Sequence, residues 1–170
     1  MPKDKKYQID IEIDGLTNSI ENAISGDSFS TEIFELTKTD LKKVTKKNGW
    51  LFSWSSEHKL TDRKIYKLTI VGNPDIIQGL VSVSDYQDHF YVHLIESAPF
   101  NKGKKKLYKG VPGNLFAFVC KISWDKGYQG FVSFTSKTKL IEHYENTLGA
   151  VQVGKQKMIA RRPSYFRMLR

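Results

Sequence analysis

Apolar and polar residues alternate through KYQIDIEID, with Tyr7, Ile9, Ile11 and Ile13 on one side, the period of a half-buried strand. Asp14 and Gly15 break the run, and Leu16 to Ile24 is expected as a short helix ended by Gly26. STEIFEL, residues 30–36, fits a short strand or a short helix, and its pattern does not separate the two. TKTDLKKVTKKNGW, residues 37–50, predicts a basic surface helix capped by Thr37 or Thr39 and stopped near Gly49. Its five lysines read as a solvated face, with phosphate binding the less common use of such a run.

The middle of the chain is rich in aromatic and β-branched residues. WLFSWS at 50–55, KIYKLTIV at 64–71, DIIQGLVSV at 75–83 and HFYVHLIE at 89–96 each predict a strand. Turn-formers such as Gly72-Asn73-Pro74 and Asp85 to Asp88 separate them, and connections this short favour an antiparallel meander.

After Glu96 the period changes. SAPFNKGKKKLYK is a loop leading to Gly110, and Leu115, Phe118, Val119 and Ile122 then recur at helical spacing up to Lys126-Gly127. GFVSF at 130–134 predicts a strand. SKTKLIEHYENTLGA predicts a second helix, with Ile141, Tyr144 and Leu148 on one stripe and Gly149 as its stop. VQVG and QKMIA look like a closing hairpin, and RRPSYFRMLR like a short terminal helix. With no repeat, low-complexity tract or dividing linker, residues 1–170 read as one α+β domain.

Composition narrows the partners. The 170 residues carry 27 Lys and Arg against 18 Asp and Glu, a net charge of +9 that favours an anionic partner: nucleic acid, a membrane surface or a phosphorylated cofactor. At 39% apolar and 12% aromatic the chain is globular in composition. The single cysteine, Cys120, rules out an internal disulfide and a Cys-rich zinc site, and its helical setting reads as a buried inert thiol. Nothing else has metal-ligand spacing or a Ser-His-Asp order. Neither a secretory signal nor a run of about 18 apolar residues is visible, so the expectation is no membrane span and a cytoplasmic location.

The stretch LYKGVPGNLFAF at 107–118 carries the first chemistry. A glycine-containing turn that opens a helix presents unsatisfied N–H groups and partial positive charge, which suits a phosphate. An ordinary helix-start turn has the same sequence. Downstream, LIEHYENTLGA ends the second helix with Tyr144 and Leu148-Gly149.

In this order, strand, Gly loop, helix, strand, Tyr-containing helix and hairpin, the chain resembles the GNAT (Gcn5-related N-acetyltransferase) superfamily. The family loop runs Arg/Gln-x-x-Gly-x-Gly/Ala. Here Gly110 matches, while Leu107 replaces the basic or amide residue and Pro112 the second glycine. The family's helix ending, like A-I-x-L-Y-E-K-L-G-F, is similar to LIEHYENTLGA. The likeness covers residues 64–160 well and residues 1–63 poorly. It implies a mixed, mostly antiparallel central sheet flanked by helices, with 64–160 as the acyl-CoA-binding core and 1–63 as a divergent acceptor side.

The resemblance implies acetyl-CoA as co-substrate, with Lys109, Gly110, Val111, Pro112, Gly113 and Asn114 around its pyrophosphate and Lys104 and Lys105 near its phosphates. Gly110 and Gly113 would let the backbone come close, and Pro112 suits a first turn where its missing donor costs nothing. Acetyl transfer to an amine needs a base for the amine and an acid for the thiolate. Glu96 is the expected base and Tyr144 the expected acid, with His89, Asn101 and Tyr91 as helpers. His93, taken to face away from Leu94, fits the same pocket less well.

Two functions follow. One is an N-acyltransferase acting by direct amine attack on an amine-bearing acceptor, such as a protein segment or RNA, including charged tRNA. The other is an inactive GNAT-like binding module, for which Trp50, Phe52 and Trp54 among lysines would make a stacking platform for nucleic acid. Alternating aromatics on a strand are more often core.

Overall fold

The computed structural model describes residues 18–135, 151–153 and 157–160. The strand expected at residues 7–13, the helix carrying Tyr144 and the terminal helix fall outside them.

A tight hairpin opens the described chain. β1 (Ser19–Asn22) pairs antiparallel with the start of β2 (Ser28–Glu35), so the described part of the helix expected from Leu16 to Ile24, from Asn18 on, is instead strand and turn. Asn22 decides this locally: its Oδ1 accepts from the N–H groups of Ile24 and Ser25, and Gly26 closes the turn at φ 76°. The ambiguous STEIFEL segment is strand.

The basic helix expected at 37–49 is two short 3-10 turns, at Asp40–Lys42 and Lys46–Asn48. Asp40 folds back on the backbone N–H and hydroxyl of Thr37 and also pairs with Lys67, and Thr45 starts the second turn. Such side-chain bonds compete with a continuous helix. Gly49, at φ 97°, ends the segment where the stop was expected, and all five lysines are exposed.

WLFSWS is not a strand. Its backbone leads into a short helix, α1 (Trp54–His58), whose start Ser53 caps by accepting from Ser56 N–H. Trp50 and Trp54 both insert into one core. At 5% and 0% exposure they cannot be a surface stacking platform.

The meander follows as expected. β3 (Lys64–Ile70), β4 (Gly79–Asp85) and β5 (Phe90–Ser97) are antiparallel neighbours, although β4 begins four residues later than the apolar run. A two-residue strand, β6 (Tyr108–Lys109), pairs with β1 before the long helix α2 (Val111–Asp125). β7 (Val132–Thr135) then pairs parallel with β5, and the hairpin of β8 (Val151–Gln152) and β9 (Lys157–Ala160) completes the sheet.

The nine strands among the described residues run in the order β6-β1-β2-β3-β4-β5-β7-β9-β8. This is the mixed, mostly antiparallel α+β sheet expected. α2 lies across one face, packing Val111, Leu115, Phe116 and Val119 on Val81, Val83, Val92 and Ile95. The other face carries a second core of Trp50, Trp54, Ile65, Leu80 and Leu94. Cys120, on α2, is buried, as expected. Among the described residues no helix is long and apolar enough to cross a membrane.

Candidate active site

The loop after β5 is held by Asn101. Its Nδ2 donates to the backbone O and the Oε1 of Gln78, and its Oδ1 accepts from Tyr108 N–H. The loop therefore delivers the chain to the rung where Lys109 faces Glu21 in β1. Gly110 follows in the left-handed region at φ 90° and caps α2, a conformation that favours glycine. Asn114 N–H closes the first turn on Gly110 O, while the N–H groups of Val111 and Gly113 have no partner among the described residues. Pro112 stands between them. Two free donors at the positive end of a 15-residue helix form an anion-binding geometry.

Of the lysines expected there, Lys104, Lys105 and Lys109 are exposed. Lys102 is not available, because its Nζ pairs with Glu96 Oε2.

β5 and β7 part beside this helix. They are paired only at Phe90 with Val132 and at Tyr91 with Ser133, and from Val92 onward no described strand lies on that edge of β5. Tyr91 leans over the gap, its hydroxyl 2.9 Å from Thr135 Oγ1. Ser133 Oγ is buried without a hydrogen-bond partner.

Glu96 has different surroundings from those expected of a base at a strand end. It is 1% exposed. Leu51 N–H donates to its Oε2 at 2.7 Å, Phe52 N–H and Trp54 Nε1 donate to Oε1 at 3.3 and 2.8 Å, and Lys102 completes the set. Four donors hold the carboxylate, so its lone pairs bind the 50–54 segment and the lysine loop together. Tyr144 lies outside the described residues.

The structure gives His93 a different setting from the one its alternation implied. A bulge interrupts the β4–β5 ladder: Val83 faces Val92 and Ser82 faces Leu94, leaving His93 as the extra residue. His93 therefore does not face away from Leu94 as the alternation implied. Its Nε2 lies 2.6 Å from Ser84 Oγ, and its ring packs edge-on to Tyr91 at 4.8 Å. Nothing in HFYVHLIE marks a bulge, since every residue of β5 is buried and any alternation is masked. His89, a proposed helper, pairs with the exposed Asp88 at 2.6 Å and packs edge-on to Tyr86.

No family model matches the sequence, and no curated protein matches it. Solved structures do. The chain is similar to an acetyltransferase of the GNAT family from Staphylococcus aureus Mu50, with a TM-score of 0.50 at 9% identity, over 79% of this chain and 99% of that one. The fold is the GNAT fold. Similarity extends, at lower TM-scores, to two further structures. The ribosomal-protein-S18-alanine N-acetyltransferase from Escherichia coli has a TM-score of 0.45 at 15% identity, over 76% of this chain and 90% of that one. The spermidine/spermine N-acetyltransferase from Vibrio cholerae has 0.44 at 12% identity, over 82% and 98%. At these identities the likeness is one of fold, and the GNAT fold places the α2 turn and the parted strands side by side without assigning them an activity.

Proposed function

We propose that the protein is an acyl-CoA-dependent N-acyltransferase that passes an acetyl group from acetyl-CoA to a primary amine by direct attack on the thioester. The observation that carries this reading is the free N–H pair of Val111 and Gly113 next to the parted edge of β5. Coenzyme A suits both features. Its pyrophosphate matches the positive helix end, and its amide-bearing arm can pair with an open strand edge as an added strand would. Lys104, Lys105 and Lys109 are proposed as the cations that meet its remaining phosphate.

The amine must lose a proton to attack, and the departing thiolate gains one. Tyr144 is proposed as the acid, on the strength of the resemblance alone. Tyr144→Phe should then lower turnover about tenfold or more and leave coenzyme A affinity unchanged, as single-turnover kinetics and calorimetry would show. Glu96, already holding four donors, is proposed as the anchor of the acceptor-side loop and not as the base. Residues 1–63 are proposed to shape the acceptor pocket. The acceptor is an amine, and the charge of +9 suits one carried on an acidic protein segment or on RNA, including charged tRNA. The binding-module alternative loses its specific support with the burial of Trp50 and Trp54.

Thermal unfolding with acetyl-CoA tests the reading. At about 100 times its Kd the ligand should add about 2.7 kcal/mol, which is about 5–10 °C for a domain of this size. Pro112→Glu places a carboxylate in the first turn, where it favours the helix but competes with phosphate. Its coenzyme A affinity should fall at least about tenfold, with its own melting temperature shifted by less than about 2 °C. No stabilisation of the wild type by millimolar acetyl-CoA or coenzyme A would sink the proposal.

A further inference from the structure

We infer that His93 takes up the proton of the acceptor amine through Nδ1, with Ser84 and the backbone carbonyl of Asp62 fixing the ring for that task. The inference rests on the acyltransferase reading and supplies the base that Glu96 does not.

The tautomer follows from counting protons. Ser84 Oγ lies 2.7 Å from the Asp62 carbonyl oxygen, which can only accept, so the one hydroxyl proton is committed there. Ser84 Oγ also lies 2.6 Å from His93 Nε2. With its proton spent, the hydroxyl must accept at that contact, so Nε2 carries the ring proton. In the neutral imidazole the basic lone pair is then on Nδ1.

Position supports the role. His93 is the bulge residue, two places beyond the last rung joining β5 to β7. Tyr91 precedes it on the same face, and Ser133, opposite Tyr91, has the buried hydroxyl without a partner. Polar groups thus converge where the strands part, and the tip of a thioester-bearing arm laid along β5 would end among them.

Charged groups come from the neighbouring described segments. From the 61–63 segment come Asp62 and Arg63, and from α1 comes Glu57, which Arg63 Nη1 and Ser82 Oγ hold at 2.9 and 2.7 Å. Tyr91 faces the ring from its own strand, and Tyr86, beyond β4, stacks on Tyr91. Asp62 is drawn below the usual carboxylate range, chiefly by its hydrogen bond to Arg63, with the charge of His93 contributing.

The step balances. The ammonium of the acceptor gives one proton to Nδ1, and the freed lone pair attacks the thioester carbonyl. The C–N bond forms and the C–S bond breaks. Tyr144 gives its proton to the departing thiolate and takes up the amide nitrogen's second proton, and His93 later returns its own to water.

Two measurements test this on the full chain. In long-range ¹H–¹⁵N spectra above the His93 pKa, the His93 ring should show the Nε2–H tautomer. Ser84→Ala should mix the tautomers, and Ser84→Thr should restore one. In thiol release from acetyl-CoA against a panel of primary amines (peptides and polyamines), His93→Gln should lower kcat about 100-fold or more and abolish the acidic limb of its pH profile. Its coenzyme A Kd should stay within about twofold, because proton transfer is not part of binding. Ser84→Ala should shift that limb, and Ser84→Thr should recover it. An Nδ1–H tautomer in the wild type would overturn the inference. So would His93→Gln with its limb and turnover intact and normal coenzyme A binding. A wild type releasing no thiol across the panel is a different result and sinks the acyltransferase reading itself.

Discussion

Replacing Glu96 with Ala is expected to cost the fold about 3–5 kcal/mol, the usual consequence of removing one member of a buried charged cluster. The loss has a definite origin. The N–H groups of Leu51 and Phe52 and the indole of Trp54 all donate to this carboxylate, and Lys102 neutralises it. Without it, three donors in or beside the second core lose their acceptor, each at about 1–3 kcal/mol where no water replaces it. Glu96→Gln keeps the shape and one accepting oxygen but turns an amide donor toward other donors, so an intermediate loss is expected. Urea denaturation of the three proteins gives the comparison. Equal midpoints for wild type and Glu96→Ala would show that the carboxylate does not hold this loop.

Gly79→Ala is expected to destabilise the fold by about 1–3 kcal/mol through overpacking and to weaken coenzyme A binding at the same time. Gly79 begins β4 directly beneath the first turn of α2. A Cβ there would lie 2.6 Å from Val111 Cγ1 and 3.1 Å from both Glu96 O and Leu115 Cδ1. Val111 is branched at Cβ and has little rotamer freedom. The carbonyl of Glu96 belongs to the β4–β5 ladder and cannot move alone, so the strain passes into the α2 turn that carries the free N–H groups. Gly79→Val should be worse than Gly79→Ala on both counts, by urea denaturation and calorimetry with coenzyme A. An affinity unchanged in a clearly destabilised variant would separate this glycine from the site.

Several elements were legible because local chemistry and tertiary packing agreed. KIYKLTIV and HFYVHLIE are strands by composition and in fact. The helix from Val111 to Asp125 has its capping glycine, its early proline and its apolar face in plain view. The α2 turn, the central element of the candidate site, was therefore readable, and so was the strand leading to it. The failures share a cause. Asn22, Thr37, Asp40 and Ser53 each spend a side chain on nearby backbone, and those bonds turned two expected helices and one expected strand into other structures. WLFSWS has strand composition, yet its aromatics are used for insertion into a core contributed by distant segments.

The sequence by itself determined that the chain is basic, that it builds an α+β sheet around one glycine-opened helix, and that the helix start suits an anion. These properties are set within a few residues by period, capping and charge. Only the tertiary structure decided what the polar side chains of β5 do. Glu96 became an anchor because residues 44 and 45 positions away in the chain present their N–H groups to it, with Trp54 adding its indole. His93 joined Ser84 because one extra residue in the ladder reversed the alternation. Register and long-range hydrogen bonds are relations between segments, and a one-residue shift moves a side chain to the opposite face of a sheet.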